Sequence, residues 1–173
     1  MVFVNSMSDL FQERVPAGFV SQVWRVMGQA HWHTFQILTK RPERMAILCE
    51  DLPMLRNVWL GTSVENADYV SRLEELRRVK AAVRFVSFEP LIGSVGAADL
   101  TGVDWAIVGG ESGPRARPMD RQWINEIQSA CRKSGTAFFF KQWGGKNKAK
   151  TGRELDGRIW DEFPIQRQRA AVA

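Results

Sequence analysis

With 173 residues, 45% of them hydrophobic and 25% charged, the chain can bury one substantial core but not two. Seven tryptophans and modest charge exclude a disordered chain, and no window reaches the roughly eighteen apolar residues that a membrane span requires. The net charge of +5 is mild, and much of the excess sits in Lys146, Lys148, Lys150, Arg153, Arg167 and Arg169. Such a tail suits phosphates or solvent, and it lacks the interleaved aromatics of a base-stacking surface.

In chain order, Val2-Phe3-Val4 reads as the first strand. Met1 to Asn5 have no basic start leading into a long apolar run, so no secretory signal is expected and a cytoplasmic location is. Pro16 opens a helix that keeps Phe19, Val20, Val23, Trp24 and Met27 at helical spacing. Strands follow at Phe35–Leu38, Val58–Leu60, Val83–Val86, Trp105–Val108 and Ala137–Phe140. Between them, Pro42 opens a second helix and Asn66 caps a third carrying Val70, Leu73, Leu76 and Val79. Leu91 to Gly102 is glycine-rich and predicts only a short helix, whereas Asp120 caps a long one that ends at Gly135.

Continuous apolar strands alternating with helices predict right-handed crossovers and a parallel sheet covered by helices. Each of the six strands ends in polar or charged residues, which favours a partial (β/α) barrel, TIM-barrel-like, over an open sheet with one switch point. The barrel should occupy 1–145. Residues 146–173 follow in the same domain as a basic loop, a hairpin turning on Asp156-Gly157 and a frayed tail from Gln166.

The residues just past the strands form one rim in such a sheet: Asn5, Ser6 and Asp9; Thr39, Lys40 and Arg41; Thr62, Ser63 and Glu65; Ser87 and Glu89; Glu111 and Ser112; Lys141, Gln142 and Trp143. Asp9, Thr39, Ser63 and Ser112 serve equally well as caps, but Lys40, Glu89, Glu111 and Lys141 follow directly on apolar runs, where an unpartnered charge is costly. Gly109-Gly110-Glu111-Ser112-Gly113-Pro114 sets flexible backbone beside an acid, and Phe88-Glu89-Pro90 holds an acid extended before proline. Cys49 and Cys131 are too far apart for a metal knuckle and read as core thiols, and His31 and His33 have no ligand partner nearby.

Six stretches together resemble an uncharacterised phage-type protein family whose longer members carry an N-terminal three-cysteine motif and look like radical S-adenosylmethionine barrels. They are Phe3–Phe11, Leu38–Pro42, Trp59–Asn66, Ser87–Leu91, Val108–Pro114 and Phe139–Gly144, in the family's order. The resemblance implies a [4Fe–4S] cluster on the first strand of the full barrel, with S-adenosylmethionine across the strand ends. The cysteine segment does not occur in this sequence, which opens at what would be the second strand. A truncated or shortened barrel is therefore expected, whose exposed first strand invites self-association. On this reading Ser63, Glu65, Ser87, Glu89, Gly109, Gly110 and Glu111 bind cofactor, while Ser6, Asp9, Lys40, Arg41, Lys141 and Gln142 hold substrate or an anion. The alternative is a non-catalytic phage protein whose basic tail binds nucleic acid or a host protein.

Overall fold

The computed structural model describes residues 1–5, 7–146 and 151–164. Six parallel strands stand in chain order in a single curled sheet, a half-barrel: β1 (Val2–Val4), β2 (Phe35–Thr39), β3 (Val58–Ser63), β4 (Val83–Phe88), β5 (Trp105–Gly109) and β6 (Ala137–Gln142). An unreversed strand order means that every crossover returns on the same face, so the sheet is singly wound and the doubly wound alternative is excluded. The crossovers carry α1 (Ala17–Gln29), α2 (Pro42–Cys49), α3 (Arg72–Arg78) and α4 (Arg121–Ser134).

Strand alternation divides the sheet cleanly. Ile37, Leu60, Val86, Phe88, Ala106, Val108, Phe138 and Phe140 pack against Trp24, Met27, Met45, Leu73, Leu76, Ile124 and Ile127 of the helices. The residues between them, Leu38, Trp59, Val83, Phe85, Trp105, Ile107 and Phe139, form a second cluster on the concave face. Trp105 is its centre, edge-on to Trp59 at 6.0 Å and to Phe139 at 5.7 Å and stacked on Phe163 at 4.9 Å. Its indole Nε1 donates to the Glu162 carbonyl at 2.8 Å, so the polar edge of the ring is satisfied as well.

The helix signals act as their chemistry dictates. Asp120 Oδ1 accepts from Gln122 N at 2.7 Å, and Gly135 leaves α4 at φ 70°, a conformation a side chain disfavours. Asn66 caps a 3₁₀ turn, Ala67–Tyr69, so the expected third helix is split and regular only from Arg72. The short helix expected between Leu91 and Gly102 does not form. Its apolar residues Leu91, Val95, Ala98 and Leu100 are buried, the first three at helical spacing, in a chain that Gly96 at φ 61° and Gly102 at φ 79° bend out of any helix. Strands β3 and β4 run further than expected, so Ser63 and Ser87 lie in the strands and not after them.

Asp156 (φ 56°) and Gly157 (φ 72°) turn the antiparallel hairpin of β7 (Glu154–Leu155) and β8 (Arg158–Ile159). The chain then runs antiparallel along β6: Phe140 N donates to the Trp160 carbonyl at 2.9 Å, and Glu162 N to the Phe138 carbonyl at 3.3 Å. The expected frayed tail from Gln166 lies outside the described residues, and no helix of the described residues is long and apolar enough to cross a membrane.

Candidate functional site

Carried past the aromatic floor, the concave parity places glycine and serine next and charge last. Gly61, Ser63 and Glu65 follow Trp59; Ser87 and Glu89 follow Phe85; Gly109 and Glu111 follow Ile107; Lys141 follows Phe139; and Lys40 follows Leu38. Two of the glycines are demanded by contact. A Cβ on Gly61 would lie 2.5 Å from the Phe85 ring, and one on Gly109 would lie 2.5 Å from Glu89 Oε1. Glu89 therefore rests its carboxylate directly on the backbone of β5.

The rim charges pair across strands. Glu65, 4% exposed, receives Lys40 Nζ at 2.5 Å on one oxygen and Arg72 Nη1 at 3.1 Å on the other, and Arg72 also donates to the Ser63 carbonyl at 2.9 Å. Glu89 receives Lys141 Nζ at 3.0 Å, with Ser87 Oγ donating at 3.4 Å. Asp9 organises the β1 and β2 ends, accepting from Phe11 N, Thr39 Oγ1, Lys40 N and Arg41 Nη1 at 2.8 to 3.2 Å. Arg41 is shared between Asp9 and Glu13. Lys40, Arg41 and Lys141, expected to await an anion, thus already hold carboxylates.

Glu111 is clasped by Arg117 through Nε, Nη2 and the backbone amide at 2.8, 2.8 and 2.9 Å. These bonds hold its carboxyl down at about 2. A depressed acid contributes above its ordinary range and loses the contribution only as pH falls through about 2, so this clasp is closed throughout the neutral range. Behind it, Gln142 Nε2 donates to Ser112 Oγ at 2.9 Å, and the Gly110 and Gly144 backbones touch so closely that neither has room for a Cβ. Ser6 lies outside the described residues, as do Lys148, Lys150, Arg167 and Arg169 of the basic tail.

One cation that sequence reasoning assigned to solvent turns inward. Arg153 stacks its guanidinium 5.0 Å from the centroid of Phe139, and its Nε and Nη2 are shut off from solvent without an acceptor among the described residues. No local signal marks it, because its neighbours in sequence are glycine and charged residues typical of a loop. Gln36 Nε2 and Trp59 Nε1 are two further buried donors without a partner.

Among the described residues no three His, Cys, Asp or Glu side chains gather as metal ligands. Cys49 and Cys131 are buried in the helix-side core, where burial pushes both thiols up to about 12. Such thiols do not fit the thiolate ligation an iron–sulfur cluster needs. Neither is expected to react with an aromatic disulfide reagent in folded protein at pH 8, while both should react in guanidinium. Rapid modification of the native chain would contradict their burial.

Two clefts of about 500 and 690 Å³ lie beside α4, the first walled by Gln128, Cys131, Phe138 and Trp160, the second by Ala98, Gln122 and Glu126. Neither shares a residue with the rim. No curated protein and no solved structure matches the sequence. One family model, described as protein of unknown function (DUF5131), matches residues 1–164, and the chain belongs to that uncharacterised family.

Proposed function

We propose that this chain is the cofactor-facing part of a radical S-adenosylmethionine-like barrel protein of phage or prophage type, and that the concave strand ends bind S-adenosylmethionine. The observation that supports this most is the Lys141–Glu89 pair, lying on Gly109 with the Ser87 hydroxyl at its side. The amino-acid end of S-adenosylmethionine carries an ammonium and a carboxylate. Inserted between Lys141 and Glu89, it exchanges one internal ion pair for two, and because Lys141 is half-exposed the pair given up is weak, about 0–1 kcal/mol. Ser63 and Ser87 add hydroxyls on the same face, and the second pair, Lys40 with Glu65, sets the far margin.

Bound there, S-adenosylmethionine supplies an electrophilic sulfonium; this chain's own residues bind and orient its polar end. The cysteines of this chain do not fit a cluster, and no step is assigned to one. The alternative is a non-catalytic phage protein whose basic tail binds nucleic acid or a host protein; Arg153 of that tail is stacked on Phe139 and so is not free for such a contact.

Titration calorimetry with S-adenosylmethionine tests the reading. Binding should appear at micromolar to millimolar concentrations, and Glu89→Gln and Lys141→Met should each weaken it by roughly tenfold. Absence of heat up to millimolar ligand, or equal affinity in both variants, sinks it.

A further inference from the structure

The concave face carries a second set of groups that the rim does not use. Arg153 is held rigidly: Trp143 N donates to the Gly152 carbonyl at 3.2 Å and Trp143 Nε1 to the Glu154 carbonyl at 2.8 Å, fixing the backbone on both sides of it to the end of β6. Its guanidinium then lies over Phe139 with Nε and Nη2 buried and, among the described residues, no hydrogen-bond or ion-pair partner. Arg153 as a whole is only partly buried, but its two enclosed N–H groups have lost hydration that a ring face replaces only in part.

The opposite end of the aromatic floor repeats the pattern. Gln36 and Trp59 are register partners on β2 and β3, 7% and 6% exposed, and each ends in an unpaired N–H. Rings join the two ends, since Trp59 touches Trp105 and Trp105 touches Phe139, beneath Arg153. On this face every orphaned atom among the described residues is a donor: Gln36 Nε2, Trp59 Nε1, and Arg153 Nε and Nη2. Four donors, one of them permanently cationic, call for a ligand rich in acceptors and negative in charge.

We propose that the concave face holds a substrate subsite for a flat, apolar-bodied anion, with Arg153 anchoring its carboxylate or phosphate and Trp59 and Gln36 donating to acceptors further along it. The assignment rests on reading the concave face as the ligand-binding surface, but not on the identity of the ligand at the rim. Arg153 is a binding residue in this scheme. Its unpaired state is the cost of having the anchor in place before the ligand arrives.

The test uses phenyl phosphate and benzoate, with benzyl alcohol as the neutral control, on the full chain. The indole N–H resonance of Trp105, the ring beside Phe139 and identified by its loss in Trp105→Phe, should shift with both anions and not with the alcohol. Arg153→Met should weaken the anions by about tenfold or more while raising the melting temperature of the unliganded protein by about 2–4 °C, because two enclosed N–H groups without acceptors are removed. Arg153→Lys should recover part of the binding. The tighter of the two anions identifies the anchored group. No shift with either anion up to about 50 mM, unchanged affinity in Arg153→Met, or a lowered melting temperature in that variant overturns the proposal. Arg153→Met should keep the heat of S-adenosylmethionine binding and Glu89→Gln should keep the Trp105 shift, so failure at one subsite is distinguishable from failure at the other.

Discussion

Replacing Glu65 with alanine is expected to lower the unfolding free energy by about 3–5 kcal/mol, the largest single-residue loss at the rim. Glu65 is almost completely buried, and the arginine it holds is nearly so: the Arg72 side chain is only 16% exposed. Removing the carboxylate leaves Arg72 with the Ser63 carbonyl and the face of Tyr69, 4.2 Å from its guanidinium, inside a fold that has already stripped most of its water. Lys40→Ala provides the contrast. The Lys40 side chain is 57% exposed, so losing it should cost less than about 1 kcal/mol, although it makes the shorter bond to the same carboxylate. Guanidinium melts of the two variants decide the matter. A Glu65→Ala protein within about 1 kcal/mol of the parent would mean that Arg72 escapes to solvent and that Glu65 is not a structural keystone.

Gly110→Ala should destabilise the protein by about 3 kcal/mol or more, a clash with backbone that no side-chain rotation relieves. The new methyl would meet the Trp143 carbonyl, and the facing residue, Gly144, is fixed at φ 79° against the Glu111 carbonyl. The bonds Gly110 N to the Gln142 carbonyl and Gly145 N to the Glu111 carbonyl, at 3.0 and 2.7 Å, lock the two loops at this separation. Gly96→Ala is the contrast: nothing lies within 4 Å there, and only the conformational cost of its positive φ, about 1–2 kcal/mol, should appear, a cost that Gly110 does not carry. Equal midpoints for the two variants would show that the β5 and β6 loops can part freely.

Much of this architecture is legible in the residues. Six apolar runs give six strands because parallel strands covered by helices are continuous and not alternating, and Asp120, Gly135 and Asp156-Gly157 act locally as their types dictate. Strand lengths are less legible: Ser63 and Ser87 look like loop residues, yet they are drawn into the ladder by pairing with each other across β3 and β4. Leu91 to Gly102 misleads in the opposite sense, because its apolar residues are buried at partly helical spacing in a chain that Gly96 and Gly102 bend out of any regular element. At the rim, the identity of the charged positions is visible but their partners are not. Arg72 and Arg117 lie in a helix and a loop whose approach to Glu65 and Glu111 depends on tertiary geometry. Arg153 is the extreme case, a residue in a basic stretch whose direction is set by a tryptophan ten residues earlier.

The two margins of the sheet are unlike. Along β6 the outer backbone groups are occupied by the stretch from Trp160 to Glu162, whereas β1 presents Val2 and Phe3, 38% and 46% exposed, with no strand outside it among the described residues. A sheet with two bare margins can be extended without limit, each added copy offering a fresh one. This molecule has a stopper at one end. Any pairing of two copies through β1 would leave only occupied margins facing outward and would stop at a pair.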